Sequence, residues 1–209
     1  MEGEADLPTA GVPVEVPKFM KEVVAEISQL ARRSPHLNQR SGVSVRLTIA
    51  NYETVVANAL RRALRAGEPV VVPRVSDLGA IVPSTQGKIE VEALEEGRED
   101  EVVAQLASAA VLSVFRRRVT LQDPATVIGA FGEGVVVHTG DDLPATSYLA
   151  VLADLPELEP PTRALAGPDA GESPALMAAA LEFLLEGLHL TKRLNKDASG
   201  SRALYRRRR

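Results

Sequence analysis

The chain has no cysteine and no tryptophan, and only three tyrosines and four phenylalanines. Without thiols it can build neither disulfides nor thiolate metal sites. With aromatics at 3% of 209 residues, its core must come mainly from Leu, Val, Ile and Ala, a composition that suits packed helices. No apolar run approaches the roughly 20 residues needed to span a bilayer. The first residues, Met1 to Gly11, are acidic and polar, unlike a secretory signal. These absences lead to the expectation of a soluble, cytoplasmic protein. An excess of positive charge is missing too. The formal net charge is −4, which argues against a dedicated nucleic-acid binder. His36, His138 and His189 are scattered, with no H-x-x-x-H spacing to hold zinc. A phosphate-binding loop is also lacking. Ser84-Thr85-Gln86-Gly87-Lys88 ends like one, but Val82 stands where the first glycine is needed and Ile89 where a hydroxyl would hold magnesium.

What is present is helical periodicity. Residues 1–16 carry acids, Pro8, Gly11 and Pro13, and read as a mobile lead-in or a severed linker. Pro17 suits a helix start, and Phe19, Val23, Ile27 and Leu30 form one apolar stripe after it. Ser44 is a candidate cap for a second, long helix. Its face is Ile49, Tyr52, Val56, Leu60 and Ala63, and Gly67 stops it. Arg61, Arg62 and Arg65 are read as its solvated side. Val70–Val72 is extended, Ser76-Asp77 opens a short helix closed by Pro83, and Lys88–Glu92 alternates like an exposed strand. Glu99–Arg118 is again amphipathic.

Beyond residue 118 the signals shorten. Asp123-Pro124 can start a helix, Val135–Val137 a strand, and Pro144–Ala153 another helix. The prolines at 156, 160, 161 and 168 mark 156–173 as a linker. A final helix is expected over 174–196, and 197–209 as a basic disordered tail. The domain reading is thus 17–118 as one helical unit, 119–155 as a small mixed α/β segment, and the remainder as linker, helix and tail.

Several stretches resemble the lid region of magnesium-chelatase/MoxR-like AAA+ ATPases, including proteins of the sigma-54-interacting-regulator type. They are Asn38–Arg46 (NQRSGVSVR), Ala50–Glu53 (ANYE), Val72–Leu78 (VPRVSDL), and Glu186–His189 followed by Lys192–Lys196 (EGLH…KRLNK). The likeness is closest over residues 12–118 and looser over 119–196. It implies a mainly α fold: a helical AAA+ lid-type bundle with a short β element, followed by a smaller mixed α/β and helical C-terminal extension. It further implies ATP-driven remodelling of a partner protein in a homo-oligomeric ring. ATP and magnesium would be held by a core that precedes residue 1 in the family. The partners so implied are that core, neighbouring subunits and a remodelled protein; the lack of a long apolar run excludes a membrane and the net charge argues against nucleic acid.

The resemblance also nominates site residues. Arg46 matches the family's sensor-2 arginine, which reaches the bound nucleotide. A guanidinium gives planar donors that fit phosphate oxygens and stays charged at any working pH. Arg40, in the loop before it, is the backup. Arg74 is the candidate for contact with a neighbouring subunit, with pairing to Asp77 as its simpler role. No catalytic and no metal-binding residue is expected in the chain itself. Two other readings stand beside this one. The chain could be a stand-alone helical interaction module, or a transcription-linked regulator acting through its basic tail. The seven carboxylates between Glu90 and Glu101 read as a solvated face.

Overall fold

The structure is a computed structural model that describes residues 11–37, 45–85, 98–170 and 173–208. It is mainly helical, with eight α-helices and one three-stranded antiparallel sheet among the described residues. In chain order these are α1 (Lys18–Ala31), α2 (Val45–Ala66), α3 (Ile81–Thr85), α4 (Glu99–Arg118), α5 (Pro124–Gly129), β1 (Val136–Gly140), α6 (Ala145–Asp154), α7 (Glu159–Ala166), α8 (Pro174–Leu190), β2 (Leu194–Ser199) and β3 (Arg202–Arg207). A 3-10 turn, Val75–Ala80, leads into α3.

The organising element is α8. From Ala175 to Leu188 every residue is buried, because the sequence is apolar on all sides of the helix. Ser173 caps it by accepting from Leu176 N–H, and Pro174 occupies the first turn, where a missing N–H costs nothing. Around it pack α4, α6 and α7, with α1 lying against α4 and α2. Phe19 of α1 stacks on Phe183 of α8 with ring centroids 4.6 Å apart. A single core cluster therefore runs from Phe19 to Tyr205.

That core redraws the expected domain limits. Residues 17–118 are not a unit apart from the rest, since α8 packs on α4 and on the 3-10 turn, and its Phe183 stacks on Phe19. The expected linker over 156–173 is instead largely helical. Pro156 opens a 3-10 turn, and Pro160 and Pro161 sit in the first turn of α7, positions that tolerate proline. Leu158 and Thr162 are fully buried there. Residues 13–15 are also ordered: Val71 N–H donates to Pro13 O and Glu15 N–H to Val71 O, at 2.8 and 2.9 Å.

The expected disordered tail is a β-hairpin, and the last helix ends at Leu190 rather than at 196. The register Ser199↔Arg202 leaves Gly200 and Ser201 as a two-residue turn. Gly200 has φ +60°, at the position where II′ turns place glycine. β3 lies between β2 and β1, and Tyr205 turns inward onto α8. Among the described residues no helix is long and apolar enough to cross a membrane.

Candidate functional site

Helix α2 carries two arginines in opposite settings. Arg46 is the helix's second residue and is exposed, while Leu47 and Thr48 beside it are buried. Sixteen positions further on, about 24 Å along the axis at ~1.5 Å per residue, Arg62 is 1% exposed. The expected solvated face of α2 is corrected on this point. Arg61 and Arg65 face solvent, but Arg62 lies on the buried stripe with Ala59 and Ala63.

Burial of Arg62 is made possible by a closed ionic network. Its Nη2 donates to Val72 O at 2.6 Å and Asp77 Oδ2 at 3.0 Å, and its Nη1 to Glu68 Oε2 at 2.9 Å. Glu68 is delivered by the end of α2. Gly67, at φ +65°, reverses the chain so that Glu68 N–H bonds back to Ala63 O at 2.9 Å. The other Glu68 oxygen accepts from Arg74 Nη2 at 2.7 Å and from Ala145 N–H at 2.9 Å. Asp77 accepts from Asn58 Nδ2 and from the Arg74 backbone N–H, both at 2.8 Å. Two arginines thus face two carboxylates, and the buried charge is balanced. Burial opposes the charge on Arg62, yet Asp77 and Glu68 raise its pKa above the ordinary value.

Arg74 is fully buried in this network, so the expected contact with a neighbouring subunit cannot run through its guanidinium in this structure. Nor does that guanidinium pair with Asp77, which instead takes the backbone N–H. It reaches Glu68 and Leu143 O and lies 5.0 Å over the Tyr148 ring. Val72–Leu78 is in effect a lock. Its carbonyl, arginine and aspartate tie α2 to the start of α6.

The lock continues into α8. Tyr148 O–H donates to Glu182, which also accepts from Ser76 N–H at 2.8 Å and Ser76 Oγ–H at 3.2 Å. One turn on, Glu186 accepts from Lys196 Nζ at 2.7 Å and from Tyr205 O–H. These two acids were not singled out from the sequence. The available signal was a pair of carboxylates four residues apart in an otherwise apolar helix. Burial pushes the Glu182 carboxyl up, against the pull of Arg74 and its hydrogen bonds. Burial, followed by the neighbouring Glu182 charge, likewise drives the Tyr148 hydroxyl up, so it remains a donor.

The rise at Glu182 has a sign that can be measured. A carboxyl with a raised pKa in the folded state holds its proton longer there than in the unfolded chain. Stability is then highest below the unfolded pKa, about 4.3, and falls as pH rises toward the folded value. Glu182→Gln is expected to flatten that fall. The check is urea denaturation of both proteins at several pH values upward from about 4. A wild-type minus variant difference that is constant with pH would refute the assignment.

A cavity of about 510 Å3 opens beside this network, with Arg61, Lys196 and Arg202 among its walls. Each of these cations already has an acid: Arg61 and Asp141 are 3.5 Å apart, Lys196 meets Glu186, and Arg202 Nε donates to Asp142 at 2.8 Å. Arg40, Ser44 and the strand expected at Lys88–Glu92 lie outside the described residues, as does most of the acidic run. Ser84 and Thr85 belong to α3, where Thr85 Oγ1 donates to buried Asn51 Oδ1 at 3.1 Å. Among the described residues no group of three or more His, Asp or Glu side chains is placed to hold a metal ion. No known family model matches the chain, and no curated protein or solved structure matches it.

Proposed function

We propose that this chain is the lid and C-terminal region of a magnesium-chelatase/MoxR-like AAA+ ATPase. In this role it couples nucleotide state to the remodelling of a partner protein in the cytoplasm. The observation that carries the reading is the setting of Arg46. Of the two arginines named in the resembling segments of α2 and the turn after it, Arg74 is consumed inside the fold. Arg46 stands exposed in the first turn of a 22-residue helix. A guanidinium presents planar, paired donors that favour phosphate oxygens. The ionic lock at the far end of α2 supports the same picture. It ties α2 to the start of α6 and, through Ser76 and Tyr148 to Glu182, to α8, the kind of linkage a lever between a nucleotide and a partner needs. ATP and magnesium would be bound chiefly by the core, with Arg46, backed by Arg40, sensing the γ-phosphate.

The test is ATP turnover of the chain assembled with its ATPase core. Arg46→Ala is expected to lower turnover at saturating ATP on the order of 10²-fold, the loss typical of a fixed transition-state donor. Arg163→Ala removes an exposed arginine that pairs with Glu159 on its own helix, and is expected to leave turnover unchanged. Equal turnover in the two variants would remove the sensor role and, with it, the main support for the lid reading.

A further inference from the structure

A second site lies where α4 and α8 end. Helices α4 and α8 finish side by side there, because Gly187 of α8 lets the Phe115 ring of α4 lie directly on its backbone. Their last turns, with Val119–Pro124 and the turn into β2, enclose a cleft of about 400 Å3. Its walls are of two kinds. Phe115, Val119, Leu121 and Pro124 are apolar, while Arg116 and Arg193 are cationic. No acid lines the cleft. The acids that meet the neighbouring residues of α4 and the loop after it are engaged elsewhere. Glu26 holds Arg117 at 3.1 Å, Glu22 holds Arg118, and Asp123 accepts from the N–H groups of Ala125 and Thr126. The side chains of Arg116 and Arg193 make no ion pair or hydrogen bond among the described residues. This contrasts with the larger cavity beside Glu182, where every cation is paired.

The turn that carries Arg193 adds a second observation. Lys192 N–H bonds to His189 O at 2.8 Å and Arg193 N–H to Leu188 O at 2.9 Å, closing α8 as a Schellman turn. The left-handed position of such a turn favours glycine, yet Lys192 occupies it at φ 62°. The backbone there is held in a costly conformation, and Arg193 follows it directly into the cleft wall. The register Leu194↔Arg207 places Arg208 at the same end of the sheet. In a chain of net charge −4 this is a local concentration of unpaired positive charge.

We infer that the cleft binds a small phosphorylated organic molecule. The phosphate would be held between Arg116 and Arg193, and the apolar part against Val119, Leu121 and Pro124. Guanidinium donors match phosphate oxygens in pairs, and a single acid-free cleft with an apolar wall selects an anion that carries an apolar body. The site is separate from Arg46 and does not depend on the ATPase reading.

The experiment is an NMR titration of the full chain, following backbone amides and arginine Nε–H groups, with phenyl phosphate as the probe and phenol and inorganic phosphate as its two halves. Saturable shifts are expected at Arg116, Thr120, Leu121, Thr191 and Arg193, tighter for phenyl phosphate than for either half. In R116A/R193A the affinity should fall at least about 10-fold, the loss of roughly one charge-assisted hydrogen bond or more. R46A should bind as the wild type does. Because both arginines are exposed, the double variant should keep the wild-type amide spectrum away from the cleft. If it does not, the single variants R116A and R193A carry the comparison. Non-saturating shifts spread over all basic residues, or equal affinity in wild type and R116A/R193A, would overturn the proposal.

Discussion

Replacing Arg62 with alanine is expected to lower the stability of the fold by about 3–5 kcal/mol, the usual cost of removing one partner from a buried ion pair. The loss is large because of what stays behind. Asp77, 0% exposed, would lose its cationic partner inside the core, and Val72 O would lose a donor at 2.6 Å. Glu68 would keep Arg74, so part of the network would survive. Arg61→Ala, one residue earlier, changes a side chain that is 59% exposed and should stay within about 0.5 kcal/mol. Urea denaturation of the two variants gives the comparison directly. A double-mutant cycle with Asp77→Asn then isolates the pair: strong coupling is expected, and additive losses would mean that Arg62 acts only through packing. Similar midpoints for Arg61→Ala and Arg62→Ala would show that the network does not hold the fold together. This expectation concerns stability; its failure would remove the support that the lock lends the ATPase reading and leave the Arg46 test standing.

The same residue shows where sequence reading stops. Periodicity locates α1, α2, α4 and α6 within a residue or two, because each buries a stripe that repeats every three or four positions. Arg62 falls on such a stripe, between Ala59 and Ala63, but its residue type suggests solvent. What makes its burial tolerable is Glu68 and Asp77, which only the Gly67 turn and the 3-10 segment bring near. Long-range charge pairing of this kind leaves no local pattern. The prolines of 156–174 misled for a related reason. Proline breaks a helix interior but is accommodated in a first turn, and here the 3-10 turn at Pro156 and α8 begin with one while α7 carries two in its first turn. The hairpin at the C-terminus was hidden by its composition. Its outer face is Arg, Asp and Ser, and only Leu194 and Tyr205 are buried along it. The segments that carry the family resemblance have a mixed outcome. Val72–Leu78 turns out to be a structural lock, and much of Asn38–Arg46 precedes the first described residue of α2. Arg46 is therefore the part of that resemblance on which a functional test can act.

Gly187→Ala should be the second strongly disruptive change, against what helix propensity suggests. In a helix interior alanine is favoured over glycine by about 1 kcal/mol, so the substitution would ordinarily stabilise α8. Here an added Cβ would stand 1.9 Å from Phe115 Cδ2 and 2.2 Å from Cε2. Carbon atoms in contact need about 3.5–4.0 Å, so the ring must move. It has little room to do so. Phe115 is 4% exposed and packs on Phe183 with ring centroids 6.1 Å apart, and Phe183 is stacked in turn on Phe19. Overpacking of this kind costs about 1–3 kcal/mol and sometimes more. A contact this short belongs at the upper end, leaving a net loss of about 2 kcal/mol after the propensity gain is subtracted. The background decides whether the steric account is right. Phe115→Ala alone should cost about 3–5 kcal/mol through the cavity it leaves. Adding Gly187→Ala to it should then cost nothing, or recover the propensity gain, because the obstructing ring is gone. Thermal or urea unfolding of the two single variants and the double variant provides the cycle. If Gly187→Ala stabilises the wild type, or costs as much with Phe115 absent as with it present, α4 and α8 do not meet as closely as described. The cleft formed where they end would lose its framework as well.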